Sequence, residues 1–137
     1  MLATMQGKKF VDVYTTIADT QRENVHCFYR ENSVFMWNGY EAKGQNAIRE
    51  MLKALPGTKH DIKSIDAQPI LQANQGLQNY SALVVTMVGS VSYGMKNSVP
   101  VHQCFILERN PDKPKDKSAY YILSHTFRYC DQPSNSH

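Results

Sequence analysis

Ser33-Val34-Phe35-Met36-Trp37-Asn38-Gly39-Tyr40-Glu41-Ala42-Lys43-Gly44-Gln45 holds the only tryptophan of the chain and an Asn-Gly pair between two apolar segments. Both central residues of a two-residue type I′ turn need positive φ, so the stretch reads as a tight hairpin. A helical pattern follows at once. Ala47, Ile48, Met51, Leu52 and Leu55 form an apolar stripe, and Pro56-Gly57 ends it.

Upstream, Phe10, Val13, Tyr14, Ile17 and Ala18 recur at helical spacing and predict one face of an amphipathic helix. Thr20-Gln21-Arg22-Glu23 has the form of a capping box. It predicts a short second helix with Val25, Phe28 and Tyr29 turned inward. Downstream of Pro56, segments 60–71, 80–92, 99–108 and 119–130 are rich in β-branched and aromatic residues and read as strands. Residues 110–117 read as a solvated hairpin loop, and residues 131–137 as a frayed tail. With no internal repeat and no domain-sized linker, residues 1–137 are expected to form one domain with a core from about residue 8 to 130.

The 137 residues carry a net charge of +3, 42% hydrophobic and 20% charged residues, the composition of an ordinary globular domain. The lysines are spread rather than clustered, so direct nucleic-acid binding is not expected. No apolar run reaches the roughly 20 residues of a membrane helix, and residues 1–9 hold no secretory stretch. A place in the cytosol or nucleus is therefore expected, without a membrane partner. Cys27, Cys104 and Cys130 are odd in number and far apart, and read as reduced thiols rather than a disulfide or metal set.

Alternation in the strands carries most of the functional reading. Leu83, Val85 and Met87 point one way, as do Val101, Phe105 and Leu107, and Tyr121, Leu123 and Phe127. Opposite them lie Val84, Thr86 and Val88, then Cys104 and Ile106, then Ile122, Ser124, Thr126 and Arg128. Three short helices can cover only one side of such a sheet. A second face this apolar on three adjacent strands predicts an interface.

The run Trp37-Asn38-Gly39, Gly44-Gln45 and Leu55-Pro56 resembles the central signature of the nuclear transport factor 2-like family. Ile65-Asp66-Ala67-Gln68-Pro69, Gly89-Ser90-Val91, His102-Gln103-Cys104-Phe105-Ile106-Leu107 and Phe127-Arg128 follow in the family's order, covering about residues 10–129. The resemblance implies an α+β cone: a strongly curved antiparallel sheet with three helices on one face and Trp37 on the helix-lined side. Trp-Asn-Gly and Asp-x-Gln-Pro are most similar to the branch of small subunits of the mRNA export receptor. That branch implies a non-catalytic heterodimer partner, paired through its sheet face with the similar domain of a large subunit. It also implies shuttling through the nuclear pore between nucleus and cytoplasm, by contacts to phenylalanine-glycine nucleoporins made directly or through the heterodimer. No cofactor or metal is implied. Arg128 matches the family arginine of the last strand, which pairs with an acid of the large subunit.

Two other readings belong to the same fold. A homodimeric import factor for Ran-GDP would carry an acid after the tryptophan and acids in the loop after the Gly-containing strand. Asn38 and residues 92–98 supply none. An isomerase or dehydratase would work on the helix side, where Tyr14, Tyr29, Trp37, Asp66, Tyr121 and His125 are the polar-capable candidates. No second acid stands near enough in sequence to form a carboxylate pair, and no residue has the setting of a nucleophile. These six are expected to be packing and hydrogen-bonding residues instead.

Overall fold

The computed structural model describes residues 2–71, 80–94, 97–116 and 119–130. The expected frayed tail, residues 95–96 of the loop without acids, and residue 117 of the hairpin loop lie outside them. The helices are α1 (Leu2–Thr20), a 3-10 helix (Arg22–Phe28) and α2 (Gln45–Ala54). The strands are β1 (Tyr29–Trp37), β2 (Tyr40–Lys43), β3 (Lys59–Ile70), β4 (Ala82–Ser92), β5 (Val99–Arg109) and β6 (Tyr120–Tyr129).

Local chemistry explains these elements with two corrections. Asn38 and Gly39 both take positive φ, at 48° and 92°, as the hairpin between β1 and β2 requires. Asn38 does more than turn. Its amide donates to the Phe127 carbonyl and its Oδ1 accepts from the Tyr129 amide, which clips the hairpin to β6. The capping box does not form: Thr20 stays in α1, its hydroxyl donating to the Thr16 carbonyl. The second helix is accordingly a 3-10 turn with Gln21 at its start and no side-chain cap. On α1 the buried positions include Val11, Tyr14 and Ala18, whereas Val13 is 45% exposed.

All six strands form one sheet in the order β2-β1-β6-β5-β4-β3. Neighbours are antiparallel except β1 and β6, which run parallel. A parallel pair needs a long crossover, and α2 with β3 to β5 provides it. Register shifts interrupt β1, β3 and β6, as bulges that bend a strand do. Opposite the β3 shift sits Gly89, where an added Cβ would meet the Asp61 carbonyl at 2.3 Å. Only glycine allows that approach.

The helices pack on one face, over a core of Val11, Tyr14, Val25, Tyr29, Phe35, Ile48, Leu83, Val85, Met87, Phe105 and Leu107. The α1 axis passes so close to the sheet that a Cβ on Gly7 would lie 2.5 Å from the Ala67 Cβ. Burying large apolar side chains this completely is worth about 1.5–3 kcal/mol each before chain entropy is counted. Trp37 lies on this side, partly buried, with its ring against Phe127 and Tyr129.

The shift in β6 overturns one expectation. Ile106 pairs with Ser124 but Leu107 pairs with Ile122, so Leu123 is the extra residue and the inward positions change parity there. Ile122, expected on the open face, is fully buried in the helix-side core. Tyr120 joins that core as well, and Tyr121 turns to the other side, where it pairs with Glu108.

Candidate functional site: the helix-free face of the sheet

Strand register assembles the open face in three rungs. Gln68, Val84, Ile106, Ser124 and Val34 lie side by side across β3, β4, β5, β6 and β1. The next rung is Asp66, Thr86, Cys104, Thr126 and Met36, and the third is Ser64, Val88, His102 and Arg128. Residues paired across a ladder share a face, so eight of the nine expected residues form one continuous surface. The ninth, Ile122, does not.

Val34, Val84, Cys104 and Ile106 are half-buried and Val88 is 40% exposed. The centre is apolar with small hydroxyls, and its margins are polar: Asp66 and Gln68 on β3, Glu41 and Lys43 on β2. Arg128 makes one corner cationic, with His102 beside it in the rung, both exposed. Among the described residues Arg128 has no ion-pair partner, so its planar fork of donors is available to a carboxylate from outside. Burial pushes the Cys104 thiol up, outweighing the hydrogen bond with Thr86, so this sulfur is a neutral contact atom. Strands at about 4.8 Å and three rungs about 6.8 Å apart make a continuous surface of roughly 20 by 14 Å, with its apolar members recurring on β1, β4 and β5.

His102, Val34 and Met36 were missing from the sequence-based set. His102 follows from the parity of Cys104 and could have been read. Val34 and Met36 could not, since their place depends on the parallel pairing of β1 with β6.

The opposite side of the sheet holds a different kind of chemistry. Tyr14, Tyr29 and His125 come together as expected of helix-side residues. The Tyr14 and Tyr29 hydroxyls are 2.7 Å apart, and the Tyr29 hydroxyl is 2.7 Å from His125 Nδ1. His125 Nε2 meets Gln103 Oε1 at 2.7 Å. Burial drives His125 well below the usual histidine range, with nearby His60 acting the same way, so the ring is neutral. Burial likewise raises both tyrosines. Asp66 and Tyr121 are absent from this cluster: Asp66 is exposed on the open face, and the Tyr121 hydroxyl donates to Glu108 and accepts from Asn32.

At the mouth of the cone, Asp19 takes three hydrogen bonds, from the His60 ring at 2.7 Å, the His60 amide at 2.8 Å and the Thr58 hydroxyl at 2.9 Å. Burial would raise its carboxyl, but these contacts and the histidine's charge outweigh it and hold it below the usual range. Arg22 closes the same end, donating to the Ala18, Leu52, Leu55 and Pro56 carbonyls and the Thr58 hydroxyl. The cavity lined by Tyr14, Arg22, Gln103 and His125 measures about 30 Å³. That is far below the roughly 300–1,000 Å³ of drug-sized ligand pockets. A more open hollow of about 630 Å³, lined by Asp19, Lys59 and Tyr129 among others, shares Trp37, Thr58 and Tyr93 with it. Among the described residues no three His, Cys, Asp or Glu side chains gather as a metal site.

Residues 6–129 match the nuclear transport factor 2 domain. An NTF2-related export protein of Caenorhabditis elegans is 32% identical over 92% of this chain and 87% of its own. NTF2-related export protein 1 of Bos taurus is 25% identical, over 94% of this chain and 89% of its own. The solved structure of nuclear transport factor 2 from Cryptosporidium parvum superposes with a TM-score of 0.75 at 23% identity, covering 92% of this chain and 93% of that one. These relatives are named for nuclear transport and export, and the architecture is theirs: three helices on one side of a six-stranded, mostly antiparallel sheet. The chain belongs to the nuclear transport factor 2 domain family.

Proposed function

We propose that this protein is the small, non-catalytic subunit of a heterodimeric nuclear mRNA export receptor. Its helix-free sheet face packs against the similar domain of a large subunit, and the pair crosses the nuclear pore through contacts with phenylalanine-glycine nucleoporins. It would shuttle between nucleus and cytoplasm. The observation that carries this reading is the three-rung surface, apolar at its centre, polar at its margins and open to solvent. Interfaces have that anatomy, and a standard one takes about 800 Å² from each partner. The export names of its relatives point the same way. A partner sheet would bury Val84, Val88, Ile106, Val34 and Met36, and bring a carboxylate to Arg128 and His102. The mass of the full chain, alone and with the large subunit's similar domain, tests the proposal. A one-to-one complex supports it. A stable homodimer that ignores the added domain would favour an import-factor type of assembly instead.

A further inference from the structure

We propose that the small helix-side cavity beside Gln103 is a structural water site, in which one ordered water held by the Gln103 amide and the His60 ring joins two polar clusters into one network. Gln103 is 1% exposed and lines the cavity, and its Nε2 has no partner in the protein. Turning the amide over does not help. Oε1 would then lose His125 and stand alone in its place, because the side chain has two polar ends and one protein neighbour. A buried amide end without a hydrogen bond is costly, and the cavity beside it is polar. His60, Thr58, Arg22 and Tyr93 line it with Gln103 and His125. A volume of about 30 Å³ is enough for one or two waters and far too small for a metabolite.

The hydrogen bonds join through such a water. The His60 ring is held to Asp19 through Nδ1 and lines the cavity, so Nε2 is the ring nitrogen left for a water. Gln103 Nε2 donates to that water, and His60 Nε2 is its second partner. On the other side, Tyr14 donates to Tyr29, Tyr29 to His125 Nδ1, and His125 Nε2 to Gln103 Oε1. The result is an unbroken chain from Asp19, near the end of α1, to the middle of β6. There it anchors His125, the residue between Ser124 and Thr126 of the open face. The water is the joint between the helix layer and the strand that carries the cationic corner.

A crystal structure of the full chain, with its partner if needed for solubility, at a resolution that shows ordered solvent is the first test. The expected result is a water peak about 2.7–3.2 Å from both the Gln103 amide and the His60 ring. A dry cavity, or a Gln103 amide satisfied by protein alone, overturns the proposal. Gln103→Met keeps the length of the side chain and removes its polar end. In that variant the peak should vanish and the ring-nitrogen signals of His125 should shift in nitrogen NMR. A water that stays in place in Gln103→Met is not held by Gln103, and that also overturns the proposal.

Discussion

The two faces of one sheet are built from the same strands and differ in how their polar groups are satisfied. On the helix side, Tyr14, Tyr29, Gln103 and His125 are buried and hydrogen-bonded among themselves. On the open side, Arg128, His102 and Thr126 stand exposed beside half-buried aliphatics. A domain that did chemistry in its cone would be expected to show the reverse pattern. Here most interior polar groups bond one another while Arg128, His102 and Thr126 of the exterior have no side-chain partner among the described residues, and that contrast supports the proposed binding role.

The contrast breaks most readily in the interior. Phe105→Ala removes a fully buried ring that packs on Tyr14 and His125, and should cost about 3–5 kcal/mol of monomer stability in denaturant unfolding. A loss under 1 kcal/mol would show that the helix side is not the core. Arg128→Ala should do the opposite: leave the monomer within about 0.5 kcal/mol. It should weaken the complex by roughly 2–5 kcal/mol, because the partner's acid is left buried and unpaired. Isothermal titration against the partner domain separates the two quantities.

Trp37→Ala lies between these cases. The ring is only partly buried, so its loss should fall below the range for a fully buried aromatic, at about 2–3 kcal/mol. Unfolding midpoints compared with those of Phe105→Ala check the order.

Acid should act through the buried interior. His125 is held neutral by burial, with a folded value well below its ordinary 6.5. The unfolded chain therefore takes up a proton that the folded one refuses. Stability is complete above pH 6.5 and falls as pH drops from there toward the folded value, by at most about 1.4 kcal/mol per pH unit. Asp19, held below its ordinary 3.8, adds a second loss as pH falls from that value toward its own folded one. His125→Gln should flatten the first part of the curve, and an unchanged slope would mean that His125 is not the group responsible.

Val13→Ser is the smallest effect. The residue is 45% exposed on α1, outside both faces, and should change stability and binding by about 0.5 kcal/mol or less.

Much of this contrast was legible before any coordinates. Alternation placed Leu83, Val85, Met87, Val101, Phe105 and Leu107 inside, because a regular strand reports its faces with period two. It failed at Leu123, where one extra residue reverses the parity and sends Ile122 inward and Tyr121 outward. Nothing in the local sequence Tyr121-Ile122-Leu123-Ser124 marks a bulge, since all four residues suit a strand. The parallel seam between β1 and β6 was equally hidden, being a pairing between distant segments, and with it went Val34 and Met36. The capping box misled because Thr20 bonds back to Thr16 rather than forward. The role of the buried Gln103 stays hidden in sequence because a lone polar residue on an apolar face reveals its partners only in three dimensions.

The most direct test of the central claim is a titration of Thr126→Glu against the large subunit's similar domain, with the melting temperature of the variant measured alongside. Thr126 is exposed at the middle of the open face, between Cys104 and Met36, so a glutamate there is harmless in the free protein. In a desolvated contact it becomes an unpaired charge. The account predicts an unchanged melting temperature and an affinity lower by about a hundredfold or more, some 3 kcal/mol. Wild-type affinity in a normally folded Thr126→Glu variant would place the interface elsewhere and contradict the account.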